Sequence, residues 1–148
     1  MVRHVLDTDV CIYLLKGEAE AVSYFQEAQQ EALLFSVISR AELLSYPELT
    51  DTDREHINAL FASGLVVDVD ETIAEEAARI RRELRRQGKR MPHLPDALVA
   101  ATAITEDATL VTNNLDDFIK RAVKPLALAM GISPYFGVCV GISSYRQS

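Results

Sequence analysis

His4-Val5-Leu6-Asp7-Thr8-Asp9-Val10-Cys11-Ile12-Tyr13-Leu14-Leu15 is the stretch that decides how this chain folds. A short apolar run from Val2 to Leu6, interrupted by Arg3 and His4, stops at an acid and passes directly into helical spacing. Thr8, Ile12 and Leu15 fall at i+3 and i+4 intervals, and Gly17 stands where a helix C-terminus expects it. The pattern predicts a strand, Asp7 at its carboxyl end, and a helix beginning near Asp9, with Asp9 as its N-cap. In an open α/β sheet, that edge is where ligands bind. What stands beside Asp7 therefore becomes the question for the rest of the chain.

Outward from this stretch, helical stripes alternate with strand-length apolar runs. Glu18 to Gln30 carries a stripe of Ala21, Val22, Phe25 and Ala28. Leu33 to Ile38 is continuously apolar apart from Ser36, as a buried parallel strand would be. Ser39 then opens a helix that Pro47 ends, and Ser39 with Glu42 matches a capping box. Asp51 to Ala62 is helical, with Gly64 past its end, and Leu65 to Val69 is a third strand. Thr72 and Glu75 match a second capping box, after which Ile73, Ala77, Ile80 and Leu84 carry an apolar stripe to Gly88. Leu94-Pro95-Asp96 starts a helix whose body, Ala97 to Ala103, is almost all small or apolar. Thr109 to Thr112 is a fourth strand, Asn113 to Asp117 a polar loop, and Gly137 to Ile142 a candidate last strand. Such alternation predicts an α/β fold with a mostly parallel sheet.

Composition narrows the class. A chain of 148 residues is most simply one domain, 1–148, and needs no staples to bury a core. Its formal net charge of −7 argues mildly against a nucleic-acid partner unless the bases are clustered. Cys11 and Cys139 form neither a metal spacing nor a disulfide framework, which suits a reducing cytosol. No apolar run approaches a membrane span, and the N-terminus shows no leader pattern, so a cytoplasmic protein is expected.

The strand–helix junctions carry Asp7 and Asp9, Glu42, Asp96, and a loop with Asn114, Asp116 and Asp117. Right-handed crossovers bring every strand end and every following helix start to one edge of the sheet. Two carboxylates ~5 Å apart repel by about 3 kcal/mol at an effective dielectric of ~20. A helix N-terminus offsets only about 0.3–1 kcal/mol of that per acid. None of the three acids Asp7, Glu42 and Asp96 has an obvious basic neighbour in sequence. A divalent cation would relieve the repulsion, and oxygen-only ligands select Mg2+ or Mn2+ over zinc.

Simpler readings stand beside this one. Glu42 completes a capping box, and Asp9 and Asp96 suit helix starts without any function. Asp7 is harder to explain so, because an acid ending a buried strand has little evident structural purpose. Arg79, Arg81, Arg82, Arg85, Arg86, Lys89 and Arg90 place seven bases within twelve residues of an acidic chain. They form either a solvated helix face partnered by Glu83 or a local phosphate-binding patch.

Four segments together resemble PIN-domain proteins, and among them VapC-type toxins of toxin–antitoxin pairs. They are Leu6-Asp7-Thr8-Asp9-Val10 with Tyr13-Leu14-Leu15, Ile38-Ser39-Arg40-Ala41-Glu42-Leu43, Leu94-Pro95-Asp96-Ala97 through Ala103, and Leu110-Val111-Thr112-Asn113-Asn114 with Asp117-Phe118. The resemblance spans roughly residues 2–120. It implies a three-layer α/β/α fold around a four- or five-stranded sheet, and a Mg2+-dependent endoribonuclease held silent by a cognate antitoxin. It further implies metal binding by Asp7, Glu42 and Asp96, with Thr112 as a hydroxyl beside the metal. At the fourth acidic position this chain has Asn114, so Asp117 or Asp116 is expected to take over. Arg85, Arg86, Lys89 or Arg90 would hold the RNA backbone, and a homodimer is implied as well.

Two rivals remain open at this level. Asp7-Thr8-Asp9-Val10 also matches the nucleophile signature of haloacid-dehalogenase phosphatases, although Lys120 and Lys124 are poorly placed for that chemistry and no glycine precedes Asp116. Alternatively the chain is a non-catalytic member that only binds antitoxin or RNA, as Asn114 would allow.

Overall fold

Val5 and Leu6 are both fully buried, so the first strand must have packed material on each face. In the computed structural model, which describes residues 3–28 and 32–112, that strand is β1 (Arg3–Leu6). It lies between β2 (Ala32–Ser36) and β4 (Thr109–Val111), and β3 (Leu65–Val67) lies outside β2. All the pairings are parallel, giving the order β3-β2-β1-β4. The chain therefore winds outward from β1 through β2 to β3, then returns to lay β4 on β1's other side. β1 and β4 thus flank the switch point of the sheet, where such folds open a crevice.

Alternation along the strands divides the core in two. Val5, Leu34 and Leu110 pack against α5 (Glu71–Arg86) and α6 (Leu94–Thr105). Leu6, Leu33, Phe35 and Val111 face the opposite way, toward α1 (Thr8–Leu15), α2 (Ala19–Ala28), α3 (Val37–Leu44) and α4 (Asp51–Ala62). The result is the expected α/β/α sandwich, with four strands among the described residues. Ile73, Ala77, Ile80 and Leu84 are the buried positions of α5, as its stripe predicts. On the other face, Phe61 of α4 meets the edge of Phe35 with ring centroids 4.9 Å apart. Gly64 lets α4 return closely to the sheet, since a Cβ there would sit 2.5 Å from the Leu33 carbonyl oxygen.

The helix starts differ from expectation. Asp7, not Asp9, caps α1, accepting a hydrogen bond from the Thr8 amide at 2.8 Å. The strand runs straight into the helix, so the acid at its end does the capping. Likewise Ser36 caps α3, with its hydroxyl 3.1 Å from the Ile38 amide. This start lies three residues before the one the capping-box pattern gave, and it puts Glu42 in the second turn. Asp70 caps α5 in place of Thr72. α6 begins at Leu94 with Pro95 in its first turn, and its cap His93 makes no side-chain capping bond. The Asn113 to Asp117 loop and the Gly137 to Ile142 strand lie outside the described residues.

Candidate active site

Strand register builds the floor of the site. Leu6 is paired with Phe35 on one side and Val111 on the other, so the next residues, Asp7, Ser36 and Thr112, stand level at the carboxyl edge. The Asp7 amide donates to the Val111 carbonyl at 2.9 Å, extending the ladder by one bond. Both carboxylate oxygens of Asp7 are engaged. Oδ1 accepts from the Thr8 amide at 2.8 Å, and Oδ2 accepts from the Thr112 hydroxyl at 2.7 Å. Two donors leave an ionised carboxylate with further lone pairs.

An open cavity of about 370 Å³ rises from this floor, lined by Asp7, Thr8, Asp9, Ile12, Glu42, Tyr46 and Asp96. Asp7 and Asp9 come from the β1–α1 junction, Glu42 from α3 and Asp96 from the first turn of α6. Topology thus brings together Asp7, Glu42 and Asp96, which are far apart in sequence. Glu42 is reached by the Thr8 hydroxyl at 2.8 Å, and that hydroxyl lies 2.9 Å from Ser39 Oγ. Thr112 takes the place expected of it, beside Asp7. Asn114, Asp116 and Asp117 lie outside the described residues.

The electrostatics are those of crowded, partly buried acids. Burial raises the Asp7 carboxyl to about 6, with Asp9 and Asp96 adding repulsion and the Thr112 and Thr8 hydrogen bonds opposing it. Asp96 is also raised, chiefly by burial; His93 opposes that shift and Asp9 adds to it. Among the described residues no lysine, arginine or histidine lines the cavity. Four carboxylates, with no nitrogen or sulfur donor among the described lining residues, are the donor chemistry of a hard divalent cation. Among the described residues, no three acids, histidines or cysteines are gathered tightly enough to cage an ion. An open, one-sided set of carboxylates suits an ion such as Mg2+, which keeps several of its waters.

The basic run fares differently. None of Arg85, Arg86, Lys89 and Arg90 lines the cavity. Arg86 pairs with Glu83 at 3.3 Å and Arg79 with Glu76 at 3.6 Å, each one turn along α5. Arg81 donates to the Pro92 carbonyl at 3.1 Å, tying down the segment that leads into α6. Asp9 and Thr8, which line the cavity, and Ser39, bonded to Thr8, were missed as site residues in the sequence. The Ser39-to-Glu42 spacing held the signal, since residues three apart share a helix face whichever of them begins the helix. Next to the acids, α1, α3 and α4 enclose a larger, mainly apolar cleft of about 620 Å³, bordered by Leu15, Leu43, Leu49 and Ile57. Ile12 and Tyr46 line both spaces.

A parallel sheet of this order, with acids from three elements meeting at the end of β1, defines a class. Residues 4–124 match the PIN domain, and the chain belongs to that family. Within it the relatives are VapC ribonucleases. The chain is 35% identical over 115 residues to Ribonuclease VapC10 of Mycobacterium tuberculosis, covering 77% of this chain and 84% of that one. It is 28% identical over 121 residues to the tRNA(fMet)-specific endonuclease VapC of Shigella flexneri, covering 80% and 91%. In three dimensions it superposes on the VapBC2 complex of Rickettsia felis bound to a promoter DNA fragment. That match has a TM-score of 0.73 at 25% identity, covering 82% of this chain and 93% of that one. Ribonucleases of this family generally use divalent metal ions. Kinship with these nucleases favours neither the phosphatase nor the non-catalytic alternative.

Proposed function

We propose that this chain is the toxin of a toxin–antitoxin pair, an endoribonuclease that hydrolyses single-stranded RNA with Mg2+, or with Mn2+ in its place. One observation carries the reading: Asp7, Glu42 and Asp96, from three separate elements, line a single cavity at the sheet's switch point. In this reading Asp7 and Asp96 would hold the ion. Hydrogen bonds from Thr112 and Thr8 fix the Asp7 carboxylate, so it meets the ion in one orientation. When bound, a divalent ion neutralises charge at the scissile phosphate and makes water a stronger nucleophile near neutral pH. Glu42, on the α3 wall, would ligate the ion or accept a hydrogen bond from the attacking water and orient it. Water adds to phosphorus in line while the bond to the 3′ oxygen breaks, leaving a 5′-phosphate and a 3′-hydroxyl.

Asp117, or its neighbour Asp116, would serve as the fourth acid, since Asn114 stands at the position where the family often has an acid; these residues lie outside the described ones. Arg85, Arg86, Lys89 and Arg90 hold the RNA backbone from outside the cavity. The apolar cleft between α1, α3 and α4 receives a cognate antitoxin, adjacent to the acids it must silence. Solved structures similar to this chain include a toxin–antitoxin complex from Klebsiella pneumoniae. The protein works as a homodimer in the cytoplasm; among the described residues no helix is long and apolar enough to cross a membrane.

The decisive experiment expresses the chain with its neighbouring open reading frame, purifies it free of partner and maps RNA ends. Cleavage with Mg2+ that stops in EDTA, leaving 5′-phosphates, is expected. Cleavage indifferent to EDTA, or RNA left intact under every metal condition, overturns the assignment.

A further inference from the structure

Within that nuclease reading, we propose that Thr8 is a positioning residue whose hydroxyl, supplied with a hydrogen bond by Ser39, fixes Glu42 over the metal cavity. Thr8 Oγ1 lies 2.8 Å from Glu42 Oε1 and 2.9 Å from Ser39 Oγ. A hydroxyl carries one proton, and an ionised carboxylate only accepts. The Thr8 proton therefore goes to Glu42, and the Ser39 proton goes to Thr8. The direction of the chain follows from donor counting alone: Ser39 to Thr8 to Glu42. Hydrogen bonds in such a chain polarise one another in one direction.

Glu42 needs this help because it is exposed, on a flexible side chain in the second turn of α3. Thr8 is 9% exposed and Ser39 0%, so the anchors are held by packing and the carboxylate is not. Thr8 is also β-branched, which restricts the rotamer that presents its hydroxyl. Its backbone amide meanwhile donates to Asp7 Oδ1 at 2.8 Å. One residue thus grips two carboxylates from different elements, Asp7 by its amide and Glu42 by its hydroxyl, and fixes their separation. A hydroxyl pair serving only to join α1 to α3 would be complete without Glu42.

The test uses the purified full chain and compares T8V, T8S, S39A, E42Q and T8V/E42Q. Mg2+ affinity is read from the Mg2+-induced rise in melting temperature, alongside RNA cleavage. T8V is expected to weaken Mg2+ binding by roughly 10–100-fold, as loss of a group supporting a ligand does. T8S restores it, S39A falls between, and T8V/E42Q is no worse than E42Q alone, since Thr8 acts through Glu42. The double variant T8V/S39A, which removes both hydroxyls and leaves neither unpaired, gives the same metal defect should T8V alone fold poorly. Wild-type Mg2+ affinity and cleavage in T8V, or multiplicative losses in T8V/E42Q, overturn the role of Thr8 and leave the nuclease reading standing. A wild-type protein that neither binds Mg2+ nor cleaves RNA overturns both.

Discussion

Two charged regions dominate this chain, and folding treats them in opposite ways. The acids Asp7, Glu42 and Asp96 are dispersed through the sequence, yet they line one cavity whose described lining holds no basic side chain. The bases between Arg79 and Arg90 are close in sequence, yet Arg79 and Arg86 pair with glutamates one turn away on α5, and Arg82, Arg85 and Arg90 stand exposed. Like charges that the fold holds together unpaired are unstable unless something else is bound among them. Like charges that local partners dilute are solvated surface, able to steer a polyanion without defining a site. Convergence without compensation is therefore the stronger sign of chemistry.

The sharpest way to break this contrast is to remove a converging acid. Asp7→Asn and Asp96→Asn should each lower RNA cleavage by at least about 100-fold, with circular dichroism unchanged. Full activity in either variant would mean that the cavity is not the reaction centre.

The second test needs no substrate. Asp7 is raised to about 6 in the metal-free fold, against an ordinary value of 3.8. Between those values the folded chain still holds a proton that the unfolded chain has released. Stability in EDTA should therefore fall as pH rises from about 4 to 6, by up to roughly 3 kcal/mol, and stay low above that. Asp7→Asn removes the ionised form, so this slope should flatten and the metal-free variant should melt higher than wild type at pH 7. A wild-type profile in EDTA that rises over that range would refute the raised Asp7 carboxyl. Mg2+ should reverse the cost: at one hundred times its dissociation constant it stabilises the wild type by about 2.7 kcal/mol and leaves Asp7→Asn little changed.

The same contrast explains what was legible in the sequence. Strand-length apolar runs at Val5-Leu6, Leu33 to Phe35 and Leu110-Val111 announced buried parallel strands because both faces of each are packed. The stripe Ile73, Ala77, Ile80 and Leu84 announced α5 for the same reason. Crossover handedness then sent Asp7, Glu42 and Asp96 to one edge without further information. Helix caps were not legible in this way. Ser36 and Ser39 are both plausible N-caps, as are Asp7 and Asp9, or Asp70 and Thr72. The choice between them rests on where the strand's last ladder bond falls, which is a tertiary fact. That ambiguity hid Thr8 and Ser39, since a serine taken for a cap is not sought as a partner inside the helix. Arg81 was hidden likewise, because the Pro92 carbonyl it meets lies across a loop whose path the local sequence does not specify.

The smallest expected effect probes the diluted region. If Arg85 and Arg90 meet only RNA phosphates, Arg85→Gln with Arg90→Gln should weaken RNA binding a few-fold at moderate salt. The salt dependence of log affinity should become shallower by about 0.7 for each phosphate that a single strand no longer has neutralised. The cleavage rate at saturating RNA should not change, because neither side chain lines the cavity. Asp7→Asn should do the converse, abolishing turnover while leaving the salt dependence of binding intact. A change in the salt slope without a change in chemistry, set against a change in chemistry without a change in slope, separates a steering surface from a reaction centre. If instead Arg85→Gln lowers turnover at saturating RNA, the basic face reaches the scissile phosphate and the two regions act as one site.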